Sequence, residues 1–188
     1  MSSDIALWLV QDGVTNGAIY ALLALAMLLV FAVTRVIFVP QGEFISYAAL
    51  SLALLQSGRL PGVVYVLVGG GLVAAALDIA LALREKAPGR LPRIVALYVL
   101  VPCAMAALAW WAAPRSVALP LQVLIVLGLV VPLGPILYRV AYQPLASASV
   151  LVLFIISMAA HYALTGLGIV FFGGEGLRSE AFSDARFK

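Results

Sequence analysis

Charged residues are sparse in this chain, and the stretches between them are almost wholly apolar. Residues 13–34 are 22 consecutive positions without a charge. At the rise of an α-helix they span about 33 Å, enough to cross the hydrocarbon core of a bilayer. Arg35 closes that run. Pro40 and Gly42 then interrupt the apolar pattern and Glu43 adds a charge, and a second apolar run over 44–58 follows with only 15 residues. Four more runs occupy about 63–83, 94–113, 117–137 and 149–172. They are set apart by turn-forming residues at 56–62, a polar loop at 84–93, Pro114-Arg115, and the stretch from Arg139 to Pro144. The tail, 173–188, is polar and mixed in charge.

This pattern predicts an all-α fold, a polytopic transmembrane helix bundle forming one domain over 1–188, with a discontinuous second helix. A short, Pro/Gly-broken apolar segment beside a full one marks a discontinuous helix in transporters, so the translocation path is expected at the break.

Composition supports the membrane reading. Hydrophobic residues make up 65% of the chain and charged residues 10%, with a mean hydropathy of +1.16. Such a chain lacks the polar groups to cover itself in water. The N-terminus has no basic region ahead of its apolar run, and Asp4 and Asp12 stand there instead, so the first segment is expected to be a retained span rather than a secretory signal. Cys103, the single cysteine, lies in an apolar run, excludes an internal disulfide and is expected to act as a small buried hydrophobe. The net charge of +3 is not a nucleic-acid signature, because the basic residues fall at span ends, where they report topology. The 84–93 loop holds Arg84, Lys86, Arg90 and Arg93 and is expected in the cytoplasm. Alternation then places six of the 11 Lys/Arg inside and puts the N-terminus outside. A second segment that dipped in and returned would reverse the N-terminus.

A few polar residues inside apolar stretches need partners. Gln41, Gly42 and Glu43 mark the break. Irregular backbone at membrane depth must line a cavity or be buried in protein. A half-helix beginning after Pro40 would present free N–H groups and a positive dipole end, suited to an anion such as an amino-acid carboxylate. The alternative is a plain cytoplasmic turn between two short helices. Asp78 lies six residues before Arg84, so it either marks a functional carboxylate or reaches the interface and pairs with Arg84. His161, with Ser157 and Thr165 four residues either side, forms a polar stripe on one helix face. That stripe faces a path, or His161 is a neutral imidazole bonded to a neighbouring helix. Gly13 with Gly17, and Gly166 with Gly168, are expected to let helices approach closely, and Gly69–Gly71 and Pro132-Leu-Gly-Pro135 to serve packing or hinging. Trp110, Trp111, Tyr138 and Tyr142 lie near span ends and read as interfacial anchors. No nucleophile–base pair, metal cluster or phosphate loop stands out, so neither enzymatic chemistry, nor a metal, nor a cofactor is expected.

The residues Thr15-Asn16-Gly17-Ala18-Ile19-Tyr20-Ala21-Leu22-Leu23-Ala24-Leu25, Thr34-Arg35-Val36-Ile37 and Gln41-Gly42-Glu43-Phe44 resemble the N-terminal region of branched-chain amino acid ABC importer permeases. Ala141-Tyr142-Gln143-Pro144-Leu145 and Phe171-Phe172-Gly173 are similar to later parts of that family. The resemblance implies a multi-pass inner-membrane subunit working with a sister permease, ATPase subunits and a periplasmic binding protein, on leucine, isoleucine and valine or on related amides and urea. It implies Asn16, Gln41, Gly42 and Glu43 as the positions facing the path. The chain departs from the family at Phe38-Val39-Pro40, where a polar group is lost, and over about 60–116, which resembles an inserted pair of spans. It corresponds to little more than the first half of such a permease, without the later ATPase-docking loop. That departure motivates a second expectation, a truncated or degenerate permease serving as a non-transporting assembly module. A third is a proton-coupled carrier using Asp78 and His161.

Overall fold

A computed structural model describes residues 3–86, 88–115 and 117–174. It contains six helical elements: α1 (Ser3–Thr34), α2 (Gln41–Gln56), α3 (Val63–Arg84), α4 (Leu91–Ala112), α5 (Leu119–Leu145) and α6 (Val150–Phe172). All but α2 are long and apolar enough to cross a membrane, as expected of a multi-pass membrane protein. Among the described residues there is no strand. The polar tail beyond residue 174 lies outside the described residues.

Helix α1 starts earlier than the charge-free run, carrying Asp12 within it. It is apolar on every side, and side chains such as Trp8, Tyr20 and Val33 are exposed. A helix hydrophobic all round suits lipid. Near its end, Val30 and Thr34 line a small cavity with Phe38 and Tyr138. Arg35 ends it in the left-handed conformation (φ 57°), its N–H bonding the Phe31 carbonyl at 2.8 Å, a helix stop that costs a non-glycine residue about 1 kcal/mol.

From Arg35 to Phe38 the backbone is irregular, and a turn at Val39-Pro40 leads into α2. Proline fits this position because it has no N–H to leave unbonded. The segment is packed rather than loose: Val36 is buried with Tyr142 and Leu153, and the Phe38 ring lies 5.7 Å from Phe44 and 6.0 Å from Tyr142. At the first residue of α2, the Gln41 side chain donates from Nε2 to the Leu23 carbonyl of α1 at 3.1 Å. Leu23 stands eleven residues before Thr34, about 17 Å along the axis, or roughly half the hydrocarbon thickness. The chain therefore leaves the end of α1, climbs back without helix to mid-depth of the bundle, level with Leu23 and His161, and only there begins α2. Residues 35–40 are non-helical, with a turn at 39–40, and the sixteen residues from Gln41 to Gln56 form α2. Of the two readings of Pro40–Glu43, the start of α2 beside Leu23 favours an interrupted segment over a plain turn at the helix ends.

The core forms where α2, α3, α5 and α6 meet, around Val63, Leu67, Leu129 and Leu164. Helix α3 is central, packing on α4, α5 and α6. Its triple glycine does not break it. A methyl group on Gly71 would strike the Tyr98 carbonyl of α4, so a close helix contact explains that residue. Gly13, Gly17 and Gly166 face open space among the described residues, so no helix of this chain approaches them closely. Gly168 fulfils the small-residue expectation, since a Cβ there would come within 3.1 Å of the Tyr47 ring. Helix α5 has a turn at Val131-Pro132, as the Pro/Gly pattern anticipates, and α4 and α5 each carry a π-helical turn, at Ala96–Leu100 and Tyr138–Tyr142. Cys103 is exposed rather than buried.

Candidate functional site

The first turn of α2 carries Gln41, Gly42 and Glu43 at consecutive positions. Backbone N–H groups at a helix start have no acceptor within the helix. Here Glu43 and Phe44 bend back to the Pro40 carbonyl, at 3.1 and 3.4 Å, which leaves the N–H groups of Gln41 and Gly42 as the outermost donors. An acidic residue in the first turn complements the helix dipole, and the Glu43 side chain is largely buried, 13% exposed.

Helix α6 supplies the facing groups. His161 Nδ1 lies 2.6 Å from Glu43 Oε1, an ion-pair distance without the alignment of a good hydrogen bond. The Thr165 hydroxyl, one turn on, donates to the same oxygen at 3.4 Å. Residues four apart share a helix face, so the polar stripe of α6 is a seam against its neighbours. One turn along α2, the Tyr47 hydroxyl donates to the Leu164 carbonyl at 2.6 Å. At the other end of the seam, Ser157 and Tyr142 share a buried hydrogen bond of 2.9 Å. His161 does face a neighbouring helix, and the group it meets there is a carboxylate.

The cluster is incomplete in one respect. Glu43 Oε2 and Gln41 Oε1 are buried acceptors without a donor among the described residues. Buried polar atoms are usually hydrogen-bonded, so two bare acceptors within the first turn of one helix are a candidate recognition feature. Beside them Gly42 has open space, with no atom within 4 Å of where a Cβ would stand.

The remaining expected site residues divide. Asn16 is on the exposed face of α1, seven residues or about 10 Å along the axis from the Leu23 carbonyl, and it does not join Gln41, Gly42 and Glu43. Asp78 pairs with Arg139 of α5, not with Arg84, both side chains being largely buried. The reason is helical periodicity: positions six apart point to different sides of α3, whereas Arg139 comes to Asp78 from a packed neighbour. Asp78 and His161 therefore share no partner. Tyr142 is 3% exposed and belongs to the interior, a correction to its reading as an interfacial anchor. Trp110, Trp111 and Tyr138 are exposed, and Arg115 lies over the Trp111 ring. The Glu43–His161 and Asp78–Arg139 pairings were beyond sequence reasoning, which sees spacing within a helix and not contact between helices. The stripe 157–161–165 was the one signal of a partner for Glu43.

Two larger hollows flank these pairs. One, about 610 Å³, is apolar and lies between α3, α5 and α6 against Gly69, Gly70, Ile136 and Ala160. None of Asn16, Gln41, Gly42 and Glu43 lines it. The other, about 520 Å³, is a charged wedge around Asp78 and Arg139. Comparison with protein-family models, curated proteins and solved structures finds no match for this chain.

Proposed function

We propose that the chain is a permease subunit of an ABC importer, moving branched-chain amino acids or related amides across the cell inner membrane. The observation that carries this reading is the start of α2 at mid-depth, with bare acceptors on Gln41 and Glu43 beside the open space at Gly42. A zwitterionic amino acid matches that arrangement. Its ammonium group suits Glu43 Oε2, which has no donor among the described residues, and its carboxylate suits the outermost N–H groups of α2. The earlier expectation of a pure anion site is narrowed, because Glu43 puts a negative charge in the same turn. Transport driven by separate ATPase subunits, loading by a periplasmic binding protein and pairing with a sister permease follow from the resemblance of residues 15–25 and 41–44 to that family.

Replacing Glu43 with Ala is expected to abolish leucine-dependent uptake in cells while membrane insertion stays normal. Full uptake at normal expression would remove the break from the path. A second reading, a non-transporting assembly module, draws on α1, whose long face packs on nothing among the described residues. Reconstitution separates the two: ATP hydrolysis stimulated by a substrate-loaded binding protein requires the transport reading.

A further inference from the structure

The hollow of about 520 Å³ lies where α3, α4 and α5 end on the basic side of the bundle. Its polar rim carries Arg90, Arg93, Arg139, Asp78 and Glu85, with Tyr98 and Gln143, and its wall is apolar, including Leu81 and Leu97. Two of the three cations are already matched. Arg139 pairs with Asp78, and Arg90 bonds Glu85 at 2.8 Å. Arg93 has no carboxylate partner among the described residues. Three guanidinium groups against two carboxylates leave one positive charge, which balances the single negative charge of a phosphodiester. Both π-helical turns open on this hollow, through Leu97 and Tyr98 in α4 and Arg139 in α5, and such turns recur at functional sites.

We propose that this wedge binds one anionic phospholipid, its phosphodiester against Arg93 and an acyl chain descending along Leu81 and Leu97. A free anion would press its hydration shell against that apolar wall, at a desolvation cost a lipid avoids because it brings its own hydrocarbon. Leu81 and Leu97 are exposed on the bundle surface, so an acyl chain can leave the wedge sideways. Placement fits as well: basic pockets between spans on the cytoplasmic side take anionic headgroups, and the 84–93 loop is the basic side here.

The test uses the full chain purified in detergent and offered equal phosphatidylglycerol and phosphatidylcholine of matched acyl chains. Retained lipid is counted by native mass spectrometry. Phosphatidylglycerol is expected to be favoured about fivefold, the factor one basic side chain contributes near a membrane surface. Arg93→Gln should reduce the preference to parity, while Arg93→Lys and Arg84→Gln, the latter outside the wedge, should keep it. Equal retention of both lipids by the unaltered chain overturns the proposal. So does a loss in Arg84→Gln as large as in Arg93→Gln, which would mean a diffuse charge effect. Displacement of the bound lipid by millimolar inorganic phosphate would reassign the site to a soluble anion. If Arg93→Gln does not fold, Leu97→Trp fills the wedge from its apolar wall and should abolish retention. Undiminished retention there overturns the proposal.

Discussion

Two acid–base pairs hold helices together in this bundle, and they are built differently. Asp78–Arg139 joins α3 to α5 about 9 Å from the helix ends, and both members are committed to each other. Glu43–His161 joins α2 to α6 at mid-depth of the bundle, where one carboxylate oxygen carries both His161 and Thr165 and the other has no donor among the described residues. The first pair is closed and the second is open. A closed pair in a low-dielectric setting sets which helices meet, whereas an open one retains the capacity to take a ligand. The deeper pair is the functional candidate for that reason, although both place an ionisable group within the apolar layer.

The contrast can be broken most sharply at the closed pair. Arg139→Ala should leave Asp78 buried and unpaired, a loss of about 3–5 kcal/mol, seen as a lower unfolding midpoint in detergent. Asp78→Asn with Arg139→Gln together should recover much of it, since neither charge is then orphaned. A single substitution without measurable loss would mean that solvent reaches the pair. At the open pair the effect should fall on uptake instead. His161→Gln keeps a polar side chain near Glu43 and is expected to lower transport with a stability change of only about 1 kcal/mol; a large loss of stability with transport intact per folded molecule would make Glu43–His161 a second closed pair. Next is the neutral bond between Tyr142 and Ser157. Tyr142→Phe should cost about 1–2 kcal/mol by stranding the Ser157 hydroxyl, and adding Ser157→Ala should restore part of that. The smallest effect belongs to Asn16→Ala on exposed α1, within about 0.5 kcal/mol in stability. Uptake measured on the same variant decides whether Asn16 belongs with the α2 break, and unchanged uptake removes it from the path.

Much of the bundle was legible along the chain. The apolar runs mark five spans, eight of their ten ends to within a few residues, because a bilayer demands a fixed length of apolar helix. The largest boundary differences are at α1, which runs from Ser3 through Asp12, and at α5, which runs on to Leu145 through the charge of Arg139. Pro40 correctly marks the break, since proline stops a helix from continuing through it. Gln41, Gly42 and Glu43 are brought together by mere succession, so their grouping needed no tertiary information.

The chain by itself thus marked six apolar segments and most of their ends, and showed that Pro40 precedes a helix with a carboxylate in its first turn. Local sterics and the cost of exposing backbone in lipid act residue by residue, and so leave a trace in the order of side chains. Only the tertiary structure decided that Glu43 meets His161 rather than water, that Asp78 takes Arg139, and that α1 leaves most of its length exposed while Tyr142 is buried. In helices apolar on every side, lipid-facing and protein-facing surfaces look alike, so the choice of partner is made by packing between helices and leaves almost no periodic mark.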